Sequence, residues 1–190
     1  MRERLMAAAA KLFGRDGIHA TGVDAILAEA KVARRSLYQH FGSKDGLVAA
    51  FLERRDRDWR DWFERTVATV AATPQTRLVR LFDVLETWFR MKSFHGCAFI
   101  NAAAETGDPG HAIRAAARRH KEMVRARIED WARAAGAADP PALARELALL
   151  VEGAIVTAMV APDAPAVETA KALARLAVEH ALSKAAKAAA

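Results

Sequence analysis

Lys31-Val32-Ala33-Arg34-Arg35-Ser36-Leu37-Tyr38-Gln39-His40-Phe41-Gly42-Ser43-Lys44 is the stretch on which the fold turns. Just before it, Val23, Ile26, Leu27 and Ala30 recur at helical spacing. Residues 23–30 therefore read as a helix, which Thr21 or Asp24 can cap. Lys31-Val32-Ala33 leaves room only for a tight turn. Residues 34–41 follow as a second short helix, with Leu37 and Phe41 four apart to pin it to a core. Gly42-Ser43 stops that helix, and Ser43 suits the N-cap of the next. Two short helices about a three-residue turn outline a helix-turn-helix.

Charge adds a chemical reading. Lys31 to Lys44 contains four Lys or Arg, no Asp or Glu, and His40. Such a face repels itself unless it meets a polyanion. Leu37 and Phe41 take the inner positions, which leaves 34, 35, 36, 38, 39 and 40 to face outward. Ser36, Tyr38, Gln39 and His40 there can all hydrogen-bond phosphates or base edges. The whole chain carries the same bias, with a net charge of +6.

Outward from this stretch the pattern is helical throughout. Ala, the strongest helix former, supplies 46 of the 190 residues, against 10 Gly and 6 Pro. With one Tyr and no sustained Val/Ile/Thr alternation, sheet architectures are poor candidates. The chain reads as all-α with nine helices: 2–15, 23–30, 34–41, 44 to about 72, 75–92, 97–106, 111–135, 141–160 and 164–187. The breaks between them are Gly17, Thr73-Pro74, Ser93 to Gly96, Gly107-Asp108-Pro109-Gly110, Asp139-Pro140-Pro141 and Pro162 to Pro165. Residues 184–190 are expected to fray. No charge-free apolar run approaches about 20 residues, so no membrane span is expected. One cysteine excludes an intramolecular disulfide framework and a cysteine-rich zinc site. It fits a cytoplasmic setting.

Leu37-Tyr38-Gln39-His40-Phe41-Gly42-Ser43-Lys44-Asp45-Gly46-Leu47 resembles the L-Y-x-H-F-x-S-K-x-x-L motif of the TetR (tetracycline-repressor-like) regulators, with Gly17-Ile18 and Thr21 matching upstream. The resemblance is close over about residues 1–50. It implies a helix-turn-helix DNA-binding domain over 1–46 and an effector-binding and dimerisation domain over 47–190. It also implies a regulator, most often a repressor, that binds a double-stranded palindromic operator as a dimer and is released by a small molecule. By position, Arg34, Arg35, Ser36 and Gln39 would meet base edges, and Thr21, Tyr38, His40 and Lys44 would grip phosphates. Two departures stand out. Lys31 occupies a turn position that is usually Gly in the family, which costs about 1 kcal/mol if that position is left-handed, and Ala33 a usual Ser-like capping site, which gives up a cap of about 1 kcal/mol.

Elsewhere the residues suggest rather than specify. The aromatics Trp59, Phe63, Phe82, Trp88 and Phe89, with Cys97, Asn101, Glu105, His120, Met123 and Glu152, are candidate lining for an apolar effector pocket. Core packing explains the aromatics equally simply. Small residues around Gly153 and Ala154, beside Leu150, Val151 and Ile155, would let two copies pack residues 141–187 as a four-helix interface. No histidine spacing makes a metal site, and no cofactor is expected. Cys97, two residues after His95 at a helix start, keeps an alternative open: an all-α enzyme, or a redox or electrophile sensor. No oxyanion pattern or third orienting group supports the enzyme. A helical module that offers the basic face to an acidic protein is a further alternative.

Overall fold

The computed structural model describes residues 1–108 and 110–189, of which 188 and 189 are described by their backbone alone. Among the described residues there are nine helices and no strand: α1 (Arg2–Asp16), α2 (Val23–Ala30), α3 (Arg34–Phe41), α4 (Lys44–Val70), α5 (Pro74–Phe89), α6 (Ala98–Ala104), α7 (Ala112–Ala134), α8 (Pro140–Val160) and α9 (Ala166–Ala189). The punctuation read from the sequence marks their ends. Asp139 accepts the Ala142 N–H at 3.0 Å at the start of α8, where Pro140 occupies the first turn. Thr73 and Thr76 cap the start of α5 reciprocally.

Most bounds lie within two residues of expectation, and the larger differences are at α5 and the end of α9. α5 stops at Phe89, and the break before α6 takes in residues 90–97. α9 is helical through Ala189, a run of Ala and Lys that favours helix; Ala190 lies outside the described residues. Of the break at 107–110, Pro109 also lies outside them.

The chain forms two compact units. One comprises Met1–Trp59 with Cys97–His120, and the other Arg60–Gly96 with Lys121–Ala190. This division cuts α4 and α7 and differs from a split after residue 46. In the first unit α1, α2 and α3 pack on one another. Leu5, Ala9, Ile26, Leu37, Leu47 and Val48 are sealed from solvent there, and the Phe13 and Phe51 rings meet edge to face at 5.3 Å. In the second unit α5, α8 and α9 pack mutually around Leu78, Phe82, Leu85, Leu143, Leu147 and Ala174. An ion pair from Lys171 of α9 to Asp83 of α5 borders that core.

The turn between α2 and α3 sets the angle of the helix-turn-helix. Lys31 has φ 51° and ψ 52°, the one positive-φ residue other than glycine among the described residues. Its N–H reaches the Ala28 carbonyl and the Val32 N–H the Leu27 carbonyl, both at 3.2 Å. This double closure is the Schellman arrangement, which normally takes Gly at the left-handed position. Lys31 bears the strain, and Arg4 of α1 donates to its carbonyl oxygen at 2.8 Å.

Candidate nucleic-acid interface

α3 presents two chemically opposed faces. Leu37 is fully buried, which holds the helix on α1 and α2; burial of such a side chain contributes about 1.5–3 kcal/mol. Arg34, Arg35, Gln39 and His40 are exposed, and Tyr38 is 48% exposed. The outer face thus carries two guanidinium groups, an amide, a phenol and an imidazole within two turns. Arg34 is ion-paired with Asp24 of α2. In sequence Asp24 stands out only as a possible cap of α2, not as part of this surface. Its four-residue offset from Ala28 marks it as a helix-surface residue, but nothing local announces a partner on α3.

Two expected outward residues turn inward. Ser36 is buried and its hydroxyl donates to the Met1 sulfur at 3.2 Å, because position 36 falls beside Leu37 on the side that α1 covers. Thr21 is 2% exposed. Its hydroxyl donates to the Gly17 carbonyl at 2.6 Å, and Gly22, not Thr21 or Asp24, is the N-cap of α2. Phe41 is a weaker pin than its spacing suggested. It is only half-buried, edge-on to His40 and with the Arg2 guanidinium 5.4 Å from its ring centre.

α3 and α4 meet at a sharp joint. Ser43 accepts the Gly46 N–H at 3.0 Å and caps α4 as its sequence position implied. A Cβ at Gly46 would overlap the Phe41 carbonyl oxygen, so at this joint the backbone of α4 approaches that of α3 over a glycine. Lys44, at the start of α4, lies 3.3 Å from the His19 carbonyl. Residues 17–19 also receive Glu105, whose carboxylate accepts the Ile18 N–H at 3.3 Å and the His19 N–H at 2.5 Å. Glu105, a candidate effector residue by sequence, is instead engaged with backbone beside Lys44 and Thr21.

The remaining effector candidates fall into both units. In the first, His120 is buried, its Nδ1 is 2.6 Å from Asp56 Oδ1, and its ring stacks on Phe99 at 3.9 Å and meets Trp59 edge to face at 5.5 Å. Asp56 was missed, since it lies 64 positions away on another helix. Cys97 is buried at the N-cap of α6, and Asn101 is half-buried on α6. In the second unit, Phe82 is fully buried, Phe63 lies against Trp131, and Trp88, Phe89 and Phe94 form a ring cluster with centroids 4.9–5.7 Å apart. Glu152 pairs with Lys121 at 2.7 Å, while Met123 is 44% exposed, on the outer side of α7. Among the described residues no three His, Cys, Asp or Glu side chains gather as a metal site. None of their helices is long and apolar enough to cross a membrane.

Comparison with known proteins agrees with this geometry. Residues 5–51 match the model of bacterial regulatory proteins of the tetR family, and residues 74–174 that of the tetracyclin repressor-like C-terminal domain. A TetR-family transcriptional regulator from Streptomyces coelicolor is 30% identical, with a TM-score of 0.82 over 97% of this chain and 95% of that one. A TetR-type regulator from Streptomyces avermitilis is 32% identical, with a TM-score of 0.72 over 92% of this chain and 97% of that one. The reduced form of NemR from E. coli shares the fold at 23% identity, with a TM-score of 0.78 over 91% and 94% of the two chains. Among curated proteins no sequence matches.

Proposed function

The chain belongs to the TetR family of bacterial transcriptional regulators, and on that premise we propose that it is a ligand-responsive homodimeric repressor working in the cytoplasm. Its DNA-binding module is residues 1–46 and its effector and dimerisation module 47–190. α3 enters the major groove. Arg34, Arg35 and Gln39 meet base edges, where arginine pairs with guanine and glutamine with adenine. Tyr38, His40 and Lys44 take phosphates, which fix register without choosing sequence. Thr21 and Ser36 act from behind this face, where their burial confines them. The observation that carries the reading is the cationic outer face of α3, secured by fully buried Leu37.

Dimerisation through residues 141–187 draws support from apolar side chains left on the surface of α8 and α9. Leu149, Val160 and Leu176 are 74%, 73% and 64% exposed. Leu149, Gly153, Val156 and Val160 recur at helical spacing along one face, and a Cβ at Gly153 would meet nothing within 4 Å. A second copy packed there would bury what water now covers.

For effector contact we propose Trp59, Cys97, Asn101 and His120, an aromatic group with polar handles. The two α3 helices of a dimer must sit about 34 Å apart to meet successive major grooves. A small molecule that favours a differently spaced state shifts the balance and releases DNA. α4, one helix from Lys44 to Val70, is the proposed lever.

Selection of bound duplexes from a random pool tests the reading. A palindromic consensus is expected, with affinity that falls by about 0.9 log unit per log unit of salt for each phosphate neutralised. Enrichment of no sequence, or of one without two-fold symmetry, counts against a dimeric regulator.

A further inference from the structure

We propose that Glu105 is a positioning residue for the phosphate grip, because its carboxylate clasps the consecutive amides of Ile18 and His19. The proposal rests on the DNA-binding reading above and adds a residue far from the helix-turn-helix in sequence. Four observations converge on residues 17–19. Glu105 takes both N–H groups. Lys44 donates to the carbonyl of His19, and Thr21 to the carbonyl of Gly17. Gly17 has φ 86°, and a Cβ there would come within 2.9 Å of Glu105 Oε1, so the carboxylate gets this close only over a glycine.

The Ile18 N–H belongs to a buried residue and needs an acceptor, and an ionised acceptor makes the stronger bond to both amides. The N–H side of the loop is therefore held from α6, while its carbonyl side supports Lys44. Lys44 is a proposed phosphate contact, so the clasp sets where that ammonium stands. A glutamine cannot replace the carboxylate, since one of its two terminal atoms is an N–H donor that would face a backbone N–H.

The charge of Glu105 gives the test a sign. A bystander carboxylate on the DNA-binding unit repels phosphates, so Glu105→Gln would tighten duplex binding or leave it unchanged. A positioning carboxylate predicts the reverse. Glu105→Gln in the full chain is expected to weaken binding to the selected duplex fivefold or more, with the salt slope reduced by about one phosphate contact. In wild-type protein without DNA, hydrogen exchange at the Ile18 and His19 amides should be protected, and both should exchange faster in Glu105→Gln. Tighter or unchanged duplex binding overturns the proposal, as does exchange at the two amides that Glu105→Gln leaves unaltered. If the wild-type chain ignores every duplex, the DNA-binding reading is what falls; the exchange rates still decide whether Glu105 holds the loop.

Discussion

Arg34 of α3 and Asp24 of α2 form an ion pair across the helix-turn-helix, both side chains more than half exposed on the outer surface. Such a pair adds little to stability, because water competes for both charges. Its consequence is geometric: with a hydrogen bond to Tyr38, it places the guanidinium on the outer side of α3 before any base is met. Asp24→Asn is expected to bind arbitrary duplexes a fewfold tighter, having lost a carboxylate beside the phosphates, while preferring the selected operator less. Arg34→Ala should lose more of that preference. Competition between operator and random duplex measures both, and an unaltered preference in either variant argues against Arg34 as a base-reading residue.

Neighbouring residues of α3 should separate stability from binding. Leu37→Ala removes a fully buried side chain and should cost about 2–5 kcal/mol of unfolding free energy. Tyr38→Phe should leave Tm unchanged and weaken all duplexes by about fivefold, the equivalent of one hydrogen bond. Arg35→Ala should relax sequence choice, whereas Lys44→Ala should weaken every sequence alike and reduce the salt slope by about 0.9. Denaturant titration and duplex binding across salt distinguish these effects.

The turns give two substitutions of opposite sign. Lys31→Gly relieves a left-handed backbone and is expected to stabilise by up to about 1 kcal/mol, partly offset by the freer unfolded chain. Gly46→Ala forces a methyl group onto the Phe41 carbonyl and should destabilise by about 1–3 kcal/mol. Thermal unfolding of the two variants side by side checks the signs.

The exposed apolar face of α8 and α9 predicts an oligomeric outcome. Leu149→Glu combined with Leu176→Glu introduces charge where both residues meet solvent in one copy, so the fold should tolerate it. The double variant is expected to sediment as a monomer and to lose most affinity for a palindrome while retaining weak half-site binding. A dimer of wild-type strength would exclude this face as the interface.

Acid should weaken the pairing of α5 with α9. Partial burial pushes the Asp83 carboxyl pKa up, but hydrogen bonds from Lys171 and Arg80 outweigh it and hold the group below its ordinary value of 3.8. A depressed folded-state pKa means that the stabilisation is present above about pH 4 and lost as pH falls through the folded value. Asp83→Asn should therefore be less stable than wild type at neutral pH, with the difference closing below pH 4. Melting curves from pH 2 to 7 follow it.

Local chemistry made the helices legible. Ala-rich runs and Gly or Pro breaks act over a few residues, so α2, α3, α4 and α8 lie within a residue or two of their expected bounds. α5 ended early because the sequence from Arg90 to Lys92 keeps helix-forming residues with no inward apolar position to hold them. The outer face of α3 was legible for a related reason: Leu37 alone assigns which residues of an eight-residue helix lie opposite it. Ser36 escaped that logic, since a residue at the edge of the buried stripe is decided by the neighbour that covers it, here Met1.

By itself, then, the sequence determined an all-α chain and a basic helix-turn-helix, because propensity, periodicity and charge are properties of residues a few positions apart. Tertiary structure alone decided that Glu105 serves the Ile18–His19 loop, that Asp56 meets His120 and that Thr21 faces inward. Those pairings depend on where separate helices bring long-range partners and on which donor is left without an acceptor, and no local pattern encodes either.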